Sequence, residues 1–172
     1  MGSRRPIVVL GLLGALTLQG CPSRDPPGES RIVRGAGTAH GPRADAALER
    51  AVYELVNRHR RARALAPLAL DPRISQEARG HSLAMADGTT SFGHDGFAER
   101  VKALGHVMTC RRTAENVASN RGHRDPASEA VHGWLESRAH RENIEGPYGL
   151  TGIGVARNAA GEVFFTQIFV DR

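Results

Sequence analysis

Apolar residues recur at three- and four-residue steps in four stretches of this chain, and each such stretch predicts a helix with one buried face. In the first, Leu48, Val52, Leu55, Val56 and His59 share a face; the helix starts near Ala44 and Pro67 marks its end. The second opens at Asp71, a residue that caps helices, with Pro72 at the first helical position, and carries Ile74, Ala78, His81 and Met85 in one stripe as far as Gly88. A short third helix, with Phe97, Val101 and Leu104 on its buried side, follows the turn-rich segment from Ser91 and closes at Gly105-His106. The fourth repeats the Asp-Pro start at Asp125-Pro126, buries Val131, Trp134 and Leu135, and runs to about Ala139, delivering His140 and Arg141 into a turn. A His-Arg pair there also suits the negative end of the helix dipole. The pattern then changes: Thr151 to Arg157 and Glu162 to Val170 read as strands rich in Val, Ile, Phe and Thr, joined by Asn158-Ala159-Ala160-Gly161. Helical segments followed by a hairpin predict an α+β domain with an antiparallel sheet covered by helices.

The front of the chain has a different character. Arg4 and Arg5 precede an apolar run from Ile7 to Leu18, too short to span a bilayer and laid out as a signal peptide. The run ends in Leu18-Gln19-Gly20-Cys21, which resembles the lipobox of bacterial lipoproteins. That resemblance implies that Cys21 becomes the lipidated first residue, with acyl chains such as palmitate tethering the protein to a membrane, and two chains suffice for stable anchoring. From Pro22 to Arg43 the chain is rich in Pro, Gly, Arg and Ser, with only Ile32 and Val33 as adjacent large apolar residues, and reads as a flexible linker. The expected organisation is therefore a lipoprotein signal peptide over 1–20, the lipidated Cys and linker over 21–43, and one folded domain over 44–172.

Charge narrows the partners. The 172 residues carry 23 Lys+Arg against 18 Asp+Glu, and removing the two signal-peptide arginines lowers the excess from +5 to +3. Lys102 is the only lysine, and no basic stripe interleaved with aromatics appears, so nucleic acid is not an expected partner. Arg58, Arg60, Arg61 and Arg63 are expected on a solvated helix face. With Cys21 assigned to lipid, Cys110 has no partner for an internal disulfide. It reads as a small, partly buried residue, with a nucleophile beside His94 or His140 as the alternative.

Two imidazoles in constrained connections, His94 and His140, are available to one cleft, although spacing alone does not bring them together. His81, on an apolar helix face, reads as a core histidine or a ligand. Five segments then occur in a familiar order: Phe92-Gly93-His94-Asp95-Gly96, Ala114-Glu115-Asn116-Val117, Trp134 followed by His140-Arg141-Glu142-Asn143-Ile144, Gly152-Ile153-Gly154-Val155, and Phe165-Thr166-Gln167-Ile168-Phe169. Together they resemble the bacterial branch of the CAP superfamily, which includes cysteine-rich secretory proteins, antigen five and pathogenesis-related one, over about residues 44 to 172. The resemblance implies a three-layer α-β-α sandwich and a cleft built around two His and two Glu that binds a divalent metal in some members. Position by position it places His94 as the first His, Glu115 as the Glu before Asn, and His140 as the second His. At the fourth position Ser137 stands where the animal and plant branch has Glu. Glu136 is one residue early, roughly 100° around a helix. The bacterial branch commonly has Ser there, so a triad is expected, with Asn116, Ser137, Arg141, Asn143 and Gln167 supporting the cleft.

Two imidazoles and a carboxylate suit Zn2+ or another divalent metal with open positions for water or ligand. Glu115 can equally accept hydrogen bonds from the His rings and hold a rigid polar network. Two classes of function follow. One is a non-catalytic binding module, lipid-anchored in the cell envelope and facing the periplasm or exterior, with a small, lipidic, glycan or protein ligand. The other is a metal-dependent hydrolase acting on peptide or cell-wall material, with His94, Glu115 and His140 as its candidate catalytic residues. Against the second stands the lack of a His-Glu-x-x-His motif for tight zinc binding.

Overall fold

Proline at the first helical position starts three of the helices, and aspartate caps two of them. In a computed structural model that describes residues 41–172, α1 spans Pro42–Ala62, α2 spans Pro72–Asp87 and α4 spans Pro126–Glu136. Asp71 accepts from the Arg73 N–H and Asp125 from the Ser128 N–H, each satisfying an otherwise orphaned donor of the first turn. The short α3 covers Phe97–Gly105 and α5 covers Arg138–Glu145. The signal peptide expected over 1–20, Cys21 and nearly all of the expected linker lie outside the described residues. Among the described residues no helix is long and apolar enough to cross a membrane.

Four strands form one sheet in the order β1-β3-β4-β2, with β1 at Ala69–Leu70, β2 at Arg112–Arg121, β3 at Leu150–Arg157 and β4 at Glu162–Asp171. The expected hairpin is present: β3 and β4 pair antiparallel from Leu150 opposite Val170 to Arg157 opposite Val163. Asn158 Oδ1 organises its turn by accepting from the N–H groups of Ala160 and Glu162. Two strands were not expected. β1 joins β3 in parallel over two residue pairs, so the sheet is mixed at that edge, and β2 pairs antiparallel with β4 along its whole length.

Helices cover both faces. On β4 every residue from Val163 to Val170 is buried, and alternate side chains serve opposite layers. Val163, Phe165 and Phe169 join Val52 and Val56 of α1, Val131 and Trp134 of α4 and Ile144 of α5, whereas Ile168 and Val170 pack with Ile74 and Ala78 of α2 and Leu104 of α3. The result is an α+β domain of three layers, α-β-α. Helix α2 lies directly on β3, because a Cβ at Gly152 or Gly154 would run into the α2 backbone at Ile74-Ser75 or Ala78-Arg79.

Three local expectations change. Helix α4 stops at Glu136, because Ser137 adopts an extended conformation (φ −79°, ψ 122°), and α5 begins immediately. His140 and Arg141 therefore lie inside a helix, not in a turn. Arg141 still serves the end of α4, donating from Nη1 to the Leu135 carbonyl at 2.7 Å. Arg60 is 3 % exposed and is no part of a solvated face. Its guanidinium donates to the carbonyls of Ala66, Ile144, Gly146 and Tyr148, tying α1 to the connection after α5.

Candidate functional site

Strand β2 is the outer strand of the sheet, so groups from both helical layers can reach around its free edge. Glu115 sits on this strand with its side chain 1 % exposed. A carboxylate so buried needs compensation, and Arg100 from α3 supplies it. The Arg100 Nη2 lies 2.8 Å from each carboxylate oxygen and Nε donates to Oε2 at 3.0 Å, the two-pronged geometry in which guanidinium and carboxylate planes match. Nη1 of the same arginine donates to the Asp95 carbonyl at 2.9 Å. His94 completes the set, with Nδ1 3.0 Å from Glu115 Oε1. An ionised carboxylate only accepts, so Nδ1 carries the hydrogen and the ring is held in that tautomer.

The turn that presents His94 is itself fixed from below. His81, buried in α2, lies with Nε2 2.8 Å from the Gly93 carbonyl, and since a carbonyl only accepts, that nitrogen donates. Burial pushes the His81 pKa down, and the nearby Arg100 cation adds to this, while the Gly93 bond works in the opposite direction. Gly96 enters α3 with φ 75°, a left-handed conformation that a side chain would strain.

His140 arrives from the opposite layer. Asn116 on β2 donates from Nδ2 to the His140 carbonyl at 3.1 Å and accepts at Oδ1 from Asn143 Nδ2 at 2.9 Å, so two amides clamp α5 to the strand edge. This places the His140 ring 6.5 Å from the His94 ring, centroid to centroid, with the planes tilted by 42°. Burial lowers the His140 pKa, and the proximity of His94 lowers it further, so the site favours the neutral ring.

The structure thus gathers His94, Glu115 and His140 around one strand edge, with Asn116 and Asn143 positioning the second histidine. Ser137 supplies the helix break that lets α5 begin. Gln167 stands one strand inward, opposite Asn116, and donates to Thr151 Oγ1 at 3.1 Å, a contact within the sheet. Cys110 packs against the cluster of Ile74, Ala78 and Leu104, and burial pushes its thiol pKa up, which suits a buried hydrophobe better than a nucleophile. His81 proves to be a hydrogen-bonded core residue that shapes the site.

Arg100 is the residue of this site that sequence reasoning passed over. A signal was present: with Phe97, Val101 and Leu104 it completes an i, i+3, i+4, i+7 stripe, so α3 aims a cation inward. That arginine bears directly on the expected metal triad. Both oxygens of Glu115 are engaged by the guanidinium, and Oε1 is also bonded to His94, so the carboxylate is committed to hydrogen bonds within the protein. Among the described residues no group of three or more His, Cys, Asp or Glu is placed to hold a metal ion. The donor set as arranged does not fit a divalent ion.

Hollows adjoin and flank this region. One of about 240 Å³ is lined by Glu77, His81, Thr90, Asp95 and Arg100 and so lies beside the buried ion pair. A larger one of about 530 Å³ lies elsewhere, between the start of α1, α2 and the end of β3. The ion pairs Asp45–Arg157 and Glu49–Arg79 contribute to its walls.

A three-layer α-β-α domain with paired histidines about a buried glutamate at the sheet edge defines a recognisable class of fold. The family model described as the cysteine-rich secretory protein family, CAP, matches residues 53–169, and the chain belongs to that family. Among curated proteins, YkwD of Bacillus subtilis, itself uncharacterised, is 32 % identical over 140 residues, covering 78 % of this chain and 51 % of its own length. This chain therefore spans about half of that relative. Among solved structures, an extracellular SCP-domain protein of Bacillus anthracis superposes with a TM-score of 0.60 at 27 % identity, over 74 % of this chain and 41 % of that one. An outer surface protein of Borrelia burgdorferi shares the fold, with a TM-score of 0.62 at 18 % identity over 73 % of this chain and 93 % of that one.

Proposed function

We propose that this protein is a lipid-anchored CAP-domain binding module of the bacterial cell envelope, held through Cys21 and facing the periplasm or exterior. Its strand-edge cleft between His94 and His140 receives a small, lipidic, glycan or protein ligand. The observation that carries the binding reading is the state of Glu115. A hydrolytic centre would need this carboxylate as a base or a metal ligand, and its oxygens already accept two charge-assisted bonds from Arg100 together with one from His94. Such a network orients and rigidifies, which is what a recognition surface requires. The extracellular and outer-surface character of similar proteins supports the location, and the Leu18-Gln19-Gly20-Cys21 sequence supports the anchor.

Two experiments test the two halves. Cys21→Ser abolishes membrane fractionation and incorporation of labelled fatty acid; unchanged lipid labelling in that variant refutes the anchor. For the cleft, the full chain is assayed against peptide and cell-wall substrates beside Glu115→Gln. The binding reading predicts no turnover by either protein. Turnover by the wild type that a folded Glu115→Gln variant loses would instead make the cleft a hydrolytic centre.

A further inference from the structure

We infer that Arg100 is the resident cation of this cleft: it neutralises Glu115 and so keeps the cleft from binding a divalent metal ion. The inference is independent of which ligand the cleft receives.

Geometry, burial and anchoring each contribute. The guanidinium engages both carboxylate oxygens at 2.8–3.0 Å, with the side chains of Arg100 and Glu115 only 11 % and 1 % exposed. It is held in place by the Asp95 carbonyl and lies 5.9 Å from the centre of the Phe97 ring, with α3 fixing its backbone. An ion drawing on Glu115 would need a carboxylate oxygen about 2.0–2.2 Å away, and a cation at that distance cannot share the face already occupied by the fork. Glu115 would have to leave Arg100, breaking a buried two-pronged ion pair. A dication entering beside Arg100 would also meet its positive charge at short range in a poorly solvated site. The two histidines alone then offer two nitrogen donors on separate elements, fewer than the three protein ligands of catalytic zinc sites.

Arg100→Gln removes the charge and frees the carboxylate while keeping a polar side chain of intermediate length. Zinc is titrated into the full chain and into this variant, and the histidine ring resonances are followed. In Arg100→Gln, His94 and His140 shift together, at zinc concentrations about 100-fold lower than any joint shift in the wild type. Joint shifts at equal zinc concentration in the two proteins, or a folded variant whose rings never move together, would overturn the inference. Should the variant not fold, the side-chain carboxyl carbon of Glu115 in the wild type carries the test. Its resonance stays in place on zinc addition if Arg100 holds it, and movement coupled to the His94 ring overturns the assignment.

Discussion

Gly154 is the position where the smallest chemical change has the largest calculable consequence. Helix α2 crosses β3 so closely that an alanine Cβ at 154 would lie inside the van der Waals radii of the Ala78 carbonyl and the Arg79 amide. The obstacle is helix backbone, which has no rotamer to change, so α2 as a whole must lift from the sheet. Overpacking a core by one methyl costs typically about 1–3 kcal/mol, and a backbone obstacle puts Gly154→Ala near the upper end, about 3 kcal/mol. For a domain of this size that corresponds to a drop in Tm of roughly 10 °C. The displacement also reaches the cleft, because α2 carries His81 and His81 holds the Gly93 carbonyl beside His94. Thermal unfolding followed by circular dichroism, together with the His94 ring resonances, therefore reads both effects. Gly80→Ala in the same helix is the control: a Cβ there meets nothing within 4 Å, so better helix propensity raises stability by about 0.5–1 kcal/mol. If Gly154→Ala melts within about 2 °C of the wild type, the close-approach argument is wrong.

Two further outcomes follow from buried charge. Arg60→Met strips hydrogen bonds from the carbonyls of Ala66, Ile144, Gly146 and Tyr148 and should lower stability by about 3 kcal/mol, measured as a shift of the urea midpoint at constant m-value; a loss under ~0.5 kcal/mol would show that those carbonyls find water instead. For His81, burial depresses the folded-state pKa, so between the ordinary value of about 6.5 and the lower folded value the unfolded chain binds more protons. The stabilisation is whole above that window and is lost as pH falls through it. His81→Gln, which keeps a donor for Gly93, should give a shallower fall in unfolding free energy from pH 7 to 5, and an unaltered slope would show that His81 is not a source of it.

Local chemistry wrote much of this fold into the chain. Asp71-Pro72 and Asp125-Pro126 set the starts of α2 and α4 because cap and proline act within one turn, and the dense Val, Ile and Phe content of 162–170 marks a strand whichever partner it finds. The three residues His94, Glu115 and His140 were legible as a group only through their resemblance to a family pattern, and their meeting at one strand edge follows from the sheet order. Strand β2 was not legible: Arg-Thr-Ala-Glu-Asn-Val-Ala-Ser-Asn-Arg has few large apolar residues, and its extended state rests on the ladder to β4, a pairing across about fifty residues of chain. Helix α5 was hidden for a related reason, since its eight residues bury only Ile144 and are held by Asn116 and Asn143 reaching between elements. Arg60 and Arg100 show the limit most clearly. Whether an arginine is solvated or buried depends on which carbonyls or carboxylates the fold brings to meet it, and those lie on other elements, so only the tertiary structure decides.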